Sequence, residues 1–369
     1  MKQGWEYKKL NEVCEKGSSN IVISKLTDND GDYPLYGASG LVKHIDFYHQ
    51  DKPYIGIVKD GAGVGRVNIY PAYSSLVGTM QYIFPKKDCL LNFIKYFLVK
   101  LDLSHCVSGA TIPHIYFKDY GKDLIPVPSL KIQEKIVSEL DKINELIRLK
   151  KEQLKDYDNL AQSIFYEMFG DPVENDKGWK VKKLGDVCVK ITDGDHMPPP
   201  KSESGIPFLT ISDINKETRE LDFSNTYFVP IEYYNNLKEE RKAKPNDLLY
   251  TVTGSYGIPV IVKNERQFCF QRHIALIRPQ KEVLSTYFLC YWVLSAAVKS
   301  MADKVATGIA QKTVGLNSIR KFEIILPPLP LQHLFAQRIE QIERQKSAVQ
   351  KSITDLETLL ASRMQYWFE

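Results

Sequence analysis

A glycine-rich string at residues 60–66, Asp-Gly-Ala-Gly-Val-Gly-Arg, has the composition of a loop that binds phosphate. Such a loop must lead into a helix, because the amides of the first helical turn bind the anion. The residues that follow, Val-Asn-Ile-Tyr at 67–70, are typical of a strand instead. The string Thr-Gly-Ser-Tyr-Gly at 253–257 is also followed by residues that favour strands. We therefore predict a glycine turn between two strands at each place, and no nucleotide-binding loop.

Each glycine turn would still expose backbone amides and polar side chains to a nucleic acid. The first turn carries Lys59 and Arg66, and the second carries Ser255 and Tyr256. Gln271-Arg272-His273 is another candidate, since Arg and Gln side chains form paired hydrogen bonds with guanine and adenine edges. For all of these residues a solvated surface loop is the alternative interpretation.

Two further loops follow glycines that occupy matching places in the chain, Gly109 and Gly308. Their polar residues are Thr111 and His114 in the first loop and Gln311 and Lys312 in the second. We give them the same interpretation and the same alternative.

The string Thr-Asp-Gly-Asp-His-Met at 192–197 places two carboxylates beside a histidine, as in part of a metal site. No second histidine lies nearby, and three prolines follow at 198–200. We therefore predict a polar loop and no metal site, with His196 available to contact DNA. The complete set of predicted DNA contacts is Lys59, Arg66, Thr111, His114, His196, Ser255, Tyr256, Arg272, His273, Gln311 and Lys312.

Motifs for catalysis are missing from the chain. An adenine methyltransferase would need an Asn/Asp-Pro-Pro-aromatic loop and a glycine-rich turn for S-adenosylmethionine, and the sequence contains neither. A helicase-type motor would need a GxxxxGK[ST] loop, which is also missing. We predict no catalytic residues and a protein that is not an enzyme.

The sequence contains an internal repeat, so that its two halves share several residues in the same order. Trp5, Leu10, Val13 and Cys14 recur 174 residues later, Tyr96-Phe97-Leu98 recurs 191 residues later, and Gly109, Pro128, Leu130 and Gln133 recur 199 residues later. The separation between matching residues therefore increases along the chain, from 174 to 199 residues, and it increases only inside the globular part of each half. The halves therefore share their ends and differ in the middle, where a variable recognition surface would lie.

Each half ends in a heptad pattern that predicts a long helix. Apolar residues alternate spacings of three and four, as at the a and d positions of a coiled coil. Each helix would span roughly 37 residues, or about 55 Å, and would need another long helix to cover its apolar stripe. Prolines precede the start of each helix, and Gly170 with Pro172 marks the end of the first helix. The predicted interface is Ile136, Leu140, Ile143, Ile147, Leu154, Tyr157 and Ile164 in the first helix, and Ile339, Ile342, Val349, Ile353, Leu356 and Leu360 in the second, with polar seam positions at Lys150, Lys346 and Arg363.

Four segments follow from this pattern, namely blocks at 1–131 and 171–331 and helices at 132–170 and 332–369. The first block carries 16 basic residues (Lys and Arg) and 13 acidic residues (Asp and Glu), and the second block carries 22 basic and 19 acidic residues. The first helix carries 6 basic and 8 acidic residues, and the second helix carries 5 of each. The positive excess lies in the blocks, which suits phosphate attraction there. Within the blocks we predict a mixed α+β structure, with strands at 54–58, 67–70, 81–84, 247–251, 259–262 and 274–277 and helices at 91–101 and 284–301.

The six cysteines include no CxxC pair, so we expect reduced structural thiols and neither a zinc module nor a disulfide framework. The N-terminus has no apolar signal core, and the longest apolar run, residues 287–298, is too short to cross a bilayer and is interrupted by Ser295. We therefore expect a cytoplasmic protein without a membrane partner.

Several strings resemble specificity subunits of Type I restriction-modification systems. They are Ser163 to Trp179 at the end of the first helix, the two Trp-x-x-x-x-Leu openings, Gly-Ala-Thr-Ile-Pro-His at 109–114, and Pro-Pro-Leu-Pro-Leu-Gln at 327–332. Together they extend over essentially the whole chain. The resemblance implies two globular α/β target recognition domains in a pseudo-two-fold arrangement, 1–131 and 171–331, separated by two long antiparallel helices.

The resemblance also implies a function. Each domain would read one half of a bipartite double-stranded DNA target, and two modification subunits and the restriction subunits would assemble on this chain. S-adenosylmethionine, ATP and magnesium would then bind to those partners and not to this chain. Two alternatives are the recognition part of a split stand-alone methyltransferase or endonuclease, and a coiled-coil adaptor without DNA specificity.

Overall fold

The computed structural model describes residues 4–109, 111–196, 199–309 and 311–369. The chain divides into two compact units, one formed by residues 1–152 and 350–369 and the other by residues 153–349. Each unit therefore holds one globular block together with part of both long helices. The predicted segment boundaries at 131, 170 and 331 follow the sequence, whereas this division cuts both helices near their middle.

Unit 1 begins with a short strand, a helical turn and a sheet, and continues into the first long helix. Its elements in chain order are β1 (Glu6–Lys9), α1 (Leu10–Val13), β2 (Cys14–Ser18), a 3₁₀ turn (Ile23–Lys25), β3 (Tyr33–Gly37), β4 (Gly40–Ile45), β5 (Tyr54–Val58), β6 (Val67–Tyr70), β7 (Ser75–Leu76), β8 (Met80–Pro85), α2 (Leu91–Leu101), a 3₁₀ turn (Leu103–Cys106), α3 (Phe117–Tyr120), β9 (Leu124–Val127) and α4 (Leu130–Phe169), which continues into unit 2.

Unit 2 repeats this order with additional elements in its middle. They are β10 (Lys180–Lys183), a 3₁₀ turn (Leu184–Asp186), β11 (Cys188–Asp193), β12 (Ile206–Leu209), a 3₁₀ turn (Ile211–Asp213), β13 (Ile214–Asn215), β14 (Glu220–Leu221), β15 (Tyr227–Val229), α5 (Ile231–Asn235), a 3₁₀ turn (Glu239–Arg241), β16 (Leu248–Thr251), β17 (Pro259–Ile261), β18 (Cys269–Phe270), β19 (Ile274–Pro279), α6 (Thr286–Val293), α7 (Ala296–Val305), α8 (Leu316–Arg320), β20 (Glu323–Leu326) and α9 (Leu329–Phe368), which ends in unit 1.

The two units share one sheet topology. A four-stranded sheet has the order β2-β8-β5-β6 in unit 1 and β11-β19-β16-β17 in unit 2. A three-stranded sheet has the order β4-β3-β7 or β15-β12-β18, and its last pair is parallel in both units. The first and last strands of each block also pair, as β1-β9 and β10-β20. The duplication seen in the sequence is thus a duplication of fold, and the predicted α+β class is confirmed.

Most predicted elements occur where expected. The helix at 91–101 and the strands at 54–58 and 67–70 agree with the structure to the residue. The single helix predicted at 284–301 is wrong, because the segment forms α6 and α7 with a break between them. Ser295 causes the second start, since its hydroxyl accepts a hydrogen bond from the amide of Val298 at 3.4 Å and caps α7.

Both long helices contain 40 residues, about 60 Å at 1.5 Å per residue. Within unit 1 they run antiparallel. Glu139 bonds to Arg363, and Lys151, which is later in the first helix, bonds to Glu357, which is earlier in the second. Within unit 2 the nitrogen of Lys346 lies 2.9 Å from Asp158. All of the predicted seam residues are buried or half-buried.

The first long helix ends at a left-handed glycine. Gly170 has a φ of +77°, and its amide bonds to the carbonyl of Tyr166 at 2.8 Å. The Nζ atom of Lys177 donates to the carbonyls of Glu167 and Met168, and the indole of Trp179 donates to the carbonyl of Phe169. The string that resembled the family's interdomain segment is therefore a helix stop whose terminal carbonyls are all occupied by nearby donors.

The ends of the helices complete the core of each unit. Ile136, Leu140 and Phe368 pack into the core between the sheet and α2 of unit 1. Phe165 and Phe335 pack into the corresponding core beside α6 in unit 2. In the part of the chain that the structure describes, each helix is too short or too polar to cross a membrane.

Candidate nucleic-acid interface

The first predicted glycine turn joins two antiparallel strands, β5 and β6, with no helix after it. Gly61, Gly63 and Gly65 all have left-handed φ values, +83°, +88° and +86°. Residues with side chains rarely adopt this conformation, so the glycines are what allow the tight path. The predicted glycine turn between two strands is confirmed here. It is also confirmed for 253–257, which joins β16 to β17.

The structure brings the glycine turn of unit 1 against the loop at 108–114. The amide of Gly61 donates to the carbonyl of Pro113, and the amide of Ile115 donates to the carbonyl of Lys59, each at 2.9 Å. His114 and Ser108 exchange two backbone hydrogen bonds that close the loop. Four predicted contact residues, Lys59, Arg66, Thr111 and His114, therefore lie on two loops that are bonded to each other.

An aspartate that we did not predict organises the side chains of this pair of loops. One oxygen of Asp60 lies 2.8 Å from Nδ1 of His114, and its other oxygen lies 3.3 Å from the nitrogen of Lys59. The ring of His114 stacks on Tyr116, with centroids 6.4 Å apart and planes 23° apart. Tyr116 is exposed, and so are Arg66 and Thr111. The loop pair thus offers an aromatic face, an anchored imidazole and an exposed guanidinium to a ligand.

The same arrangement recurs in unit 2 with different side chains. The amide of Gly254 donates to the carbonyl of Lys312 at 2.9 Å, and the amide of Val314 donates to the carbonyl of Val252 at 2.8 Å. The hydroxyl of Thr313 lies 3.2 Å from that of Thr253, where unit 1 has His114 and Asp60. Gln311 and Lys312 are exposed at this loop.

The predicted residues Ser255 and Tyr256 already have partners within unit 2. The hydroxyl of Ser255 accepts from the nitrogen of Lys216 at 2.9 Å. The hydroxyl of Tyr256 donates to Asp303 at 2.5 Å, and this hydrogen bond raises the pKa of Tyr256. A DNA contact through the Tyr256 hydroxyl would first have to displace Asp303, whereas Ser255 remains exposed.

Arg272 and His273 lie beside this loop pair. They form the tight connection between β18 and β19, and the carbonyl of His273 accepts from the amide of Val252 at 2.9 Å. Arg272 is exposed, whereas His273 is half-buried, and burial followed by the charge of Arg272 lowers the pKa of His273. Both effects favour the neutral imidazole, in which one nitrogen accepts a hydrogen bond and the other donates.

The carboxylate string at 192–197 lies at the same place. Thr192 and Asp193 belong to strand β11 and not to a loop, which corrects the prediction for those two residues. His196 lies 3.0 Å from an oxygen of Asp193, and the guanidinium of Arg241 lies 3.8 Å from Asp193 and 3.5 Å from Asp195. A cation between the two carboxylates takes the place that a metal ion would need. Met197 and Pro198, which the same prediction included, are outside the described residues.

These segments meet at one edge of the four-stranded sheet in each unit. In unit 2 the edge is the end of β11, the start of β19 and the end of β16, as the register of Asp193 with Ala275 and of Thr251 with Ile274 shows. In unit 1 it is the end of β2, the start of β8 and the end of β5. All eleven predicted contact residues lie on loops at this edge or on loops bonded to it.

One group of possible metal ligands occurs away from this edge among the described residues. His105, Cys106 and Asp123 present ligand atoms that all lie within 4.8 Å of one another, and Nε2 of His105 lies 3.1 Å from Asp123. Nδ1 of His105 lies 2.9 Å from the carbonyl of Asp102. Sequence reading missed this group because Asp123 is 17 residues from Cys106 and only the fold brings them together.

The architecture is that of a duplicated target-recognition protein, with two copies of one α+β domain, each followed by a 40-residue helix. The chain belongs to the family of the Type I restriction modification DNA specificity domain, whose model matches residues 2–156 and 176–358. The resemblance inferred from the sequence is confirmed.

The chain is similar to several known specificity subunits. It is 21% identical to the Type I restriction enzyme MjaIX specificity subunit of Methanocaldococcus jannaschii, over 96% of this chain and 90% of that protein. It is 23% identical to the putative subunit S.HindORF215P of Haemophilus influenzae, over 94% and 90%. The match to the EcoBI specificity subunit of Escherichia coli is 22% identical and covers 67% of this chain but only 57% of that protein.

Solved structures share the fold at lower sequence identity. The S subunit of a Type I restriction-modification system from M. genitalium has a TM-score of 0.58 and 13% identity, with 99% of this chain and 96% of that chain covered. A chain from a study of complex assembly and conformational transition in the type I R-M system also has a TM-score of 0.58, at 18% identity and with 100% and 98% coverage.

Proposed function

We propose that this chain reads a bipartite DNA target for a Type I restriction-modification complex, with one half of the target contacted by each unit. The observation that carries the proposal is the convergence of polar and basic loops on the same sheet edge in two equivalent domains. Phosphate contacts would supply most of the affinity, and side chains on these loops would choose the bases.

The two half-sites would differ, because the two edges carry different chemistry. Unit 1 offers an Asp60-anchored histidine beside Tyr116, whereas unit 2 offers a threonine pair at the corresponding place. Unit 2 also presents Arg272, whose guanidinium suits guanine. One fold with two sets of loop residues thus supports an asymmetric target with an unread spacer between its halves.

In this proposal the long helices are the protein-binding part of the chain. They carry almost no net charge, which suits contact with other proteins better than contact with DNA. Two modification subunits would dock around the helices and domains, and restriction subunits would join them. S-adenosylmethionine, ATP and magnesium would bind in those partners, and this chain would select the site without performing the chemistry. A cytoplasmic location stays part of the proposal.

The test is to map modified adenines across the host genome with and without this gene, and then with its first block exchanged. Replacing residues 1–131 with those of another family member should change one half of the methylated motif and leave the other half intact. Replacing residues 171–331 is the matched experiment and should change the opposite half.

Three results would contradict the proposal. An unchanged motif after both exchanges would remove the assignment of one half-site to each unit. Methylation by the isolated chain would favour the split-enzyme alternative. If the chain together with its modification partner retained no DNA in a sequence-dependent way, the adaptor alternative would replace the proposal.

A further inference from the structure

A pocket of about 200 Å³ opens at the sheet edge of unit 1. Its floor is formed by Gln81 of β8 and by Ile115, and three lysines surround it: Lys16 of β2, Lys59 after β5, and Lys118 of α3. The inference drawn from this pocket rests on the proposed DNA-binding function and assigns one contact within it.

The floor of the pocket carries a polar group that is largely sequestered from solvent. The side chain of Gln81 belongs to a residue only 6% exposed, and its carboxamide oxygen accepts a hydrogen bond from the hydroxyl of Tyr120 at 2.7 Å. The two N–H groups of the same carboxamide have no hydrogen-bond partner within the described ranges. Within the described residues, the fully buried side-chain polar atom that has no partner is Nε1 of Trp292, so the Gln81 amide is open to solvent and can donate to a ligand in the pocket.

The rim of the pocket is cationic. Lys16 and Lys118 form no ion pair within 4 Å in the described part of the chain, and Lys118 lies over the ring of Tyr116 at 5.3 Å. Lys59 is partly neutralised by Asp60 at 3.3 Å. Two unneutralised ammonium groups and a third nearby create a field that attracts an anion with hydrogen-bond acceptors.

Unit 2 lacks this combination at the equivalent positions. Strand register places Ile191 where unit 1 has Lys16, and Ala275 where it has Gln81. Val252 occupies the position of Lys59, as their equivalent backbone hydrogen bonds show, and Asn317 occupies the position of Lys118. The position of Ser18, which lines the pocket, is taken by the carboxylate of Asp193. This lysine-rimmed pocket is therefore not repeated at the equivalent positions of unit 2.

We propose that this pocket binds one phosphodiester group of the DNA backbone, with Lys16, Lys118 and Lys59 as cations and the amide of Gln81 as a hydrogen-bond donor. A nucleobase is the less suitable occupant, because it is uncharged and would leave the ammonium groups of Lys16 and Lys118 without a counter-charge. The contact fixes how unit 1 sits on its half-site and adds affinity that does not depend on sequence.

The experiment measures binding of the full chain, with its modification partner, to a labelled duplex that contains the methylated motif and to a scrambled duplex, over a series of KCl concentrations. The double variant Lys16→Gln/Lys118→Gln should lower the slope of log K against log salt by about one, the value expected for one phosphate, and should weaken both duplexes alike. The matched control is Lys87→Gln/Lys122→Gln, which removes two exposed lysines at the opposite end of the β2-β8 ladder and should leave the slope unchanged.

Retention of the slope by Lys16→Arg/Lys118→Arg would support a charge contact, and equal melting temperatures would show that the variants fold. An unchanged slope in the Gln variant, while the preference for the motif persists, would overturn the pocket assignment and leave the proposed function standing. Weakening of the motif duplex alone would assign a base contact and overturn the phosphate. Loss of preference in the unmodified chain would instead overturn the proposed function.

Discussion

At the scale of single residues, two glycines fix the loops that face the proposed ligand. Gly109 and Gly308 have φ values of +93° and +109°. A Cβ atom on Gly308 would lie 2.3 Å from the carbonyl oxygen of Gln311, which is closer than real Cβ atoms approach. The loop that carries Gln311 and Lys312 thus depends on the residue at position 308 having no side chain.

We predict that Gly308→Ala lowers the free energy of unfolding by about 1–3 kcal/mol, because it forces both backbone strain and a steric clash. Chemical denaturation measures the change. Gly315→Ala is the matched control, since Gly315 has a φ of −68° and a Cβ atom there would meet nothing within 4 Å. Equal loss in the two variants would show that the loop adapts and that Gly308 is dispensable.

The sequence predicted which residues lie on the loops, but it did not predict which residues their side chains bond to. His114 was selected for its place after Gly109, but its bond to Asp60, 54 residues away, could not be read from spacing. Tyr256 was selected as a residue of the second glycine turn, and in the fold its hydroxyl donates to Asp303, 47 residues away. Local patterns indicate which residues lie on a loop, whereas partners distant in sequence depend on how the loops pack.

At the scale of elements, each long helix begins with the same glutamine clamp. The oxygen of Gln332 accepts from the amide of Ser285 at 2.9 Å, and its nitrogen donates to the carbonyls of Val283 and Pro327. Gln133 makes the corresponding bonds in unit 1, to Leu90, Asp88 and Pro128. Both glutamines are fully buried. The clamp ties the start of the helix to the segment before α2 or α6.

We predict that Gln332→Leu destabilises unit 2 by about 2–3 kcal/mol, because it leaves buried backbone groups without partners. Thermal and chemical unfolding measure the loss. Gln337→Leu is the control on the same helix, where the side chain is exposed and the expected change is small. If Gln332→Leu were as stable as the control, packing alone would hold the helix start.

The polar seam position Arg363 is ion-paired in unit 1. Its guanidinium donates to both oxygens of Glu139, and the indole of Trp367 donates to the same carboxylate at 3.1 Å. The Arg363 hydrogen bond holds the pKa of Glu139 below its ordinary value of 4.5. Lys346 is paired with Asp158 in unit 2. Both seam positions therefore select one alignment of the helices.

We predict that Glu139→Gln lowers the free energy of unfolding by about 1 kcal/mol at neutral pH, as expected for a partly exposed pair. Because the folded pKa is lowered, the pair stabilises the fold above pH 4.5 and loses its effect as the pH falls through the folded value. Denaturation at several pH values measures this, and the difference from the unmodified chain should vanish in acid. Glu134→Gln, at an exposed position of the same helix, is the control and should change the free energy of unfolding little.

Element boundaries followed from the sequence where periodicity was long. Heptads repeated through both helices located them to within a few residues, since the first was expected at 132–170 and occurs at Leu130–Phe169. The helix expected at 284–301 broke in two because one capping serine outweighs a continuous apolar pattern. The short strands β3 and β4 were not predicted either, although they form a local hairpin across residues 38–39. The strands β12 and β15 were not predicted because β12 pairs with β15 and β18, which both lie far from it in the chain.

At the scale of the whole molecule, the duplication could be read from the ends of the halves and not from their middles. Proline and glutamine positions recur because they build the helix starts in both halves, and Trp179 occupies a carbonyl at the end of the first helix. The sheet edges carry no such constraint, and there the halves diverge from a lysine-rimmed pocket to a carboxylate beside a histidine. A protein that recognises two different half-sites needs such a shared scaffold with two different sheet edges.

If the long helices set the distance between the two readers, a matched lengthening of both should lengthen the unread spacer. Inserting seven residues after Glu152 and seven after Ser352 keeps the heptad phase on both sides of each insertion. The antiparallel pairs Lys151–Glu357 and Asp158–Lys346 place these two sites opposite each other within the helix pair. Seven residues add about 10 Å of helix, which is about three base pairs of DNA at 3.4 Å each.

We therefore predict methylated motifs whose half-sites are unchanged and whose spacer is longer by about three base pairs, measured by mapping modified adenines. An insertion in the first helix alone would separate Glu139 from Asp158 by seven more residues. Only one of the two could then stay in register with its partner on the second helix, and methylation should be lost. Motifs with the original spacer after the double insertion would contradict the idea that the helices determine the spacing, because the first helix is the covalent link between the two blocks.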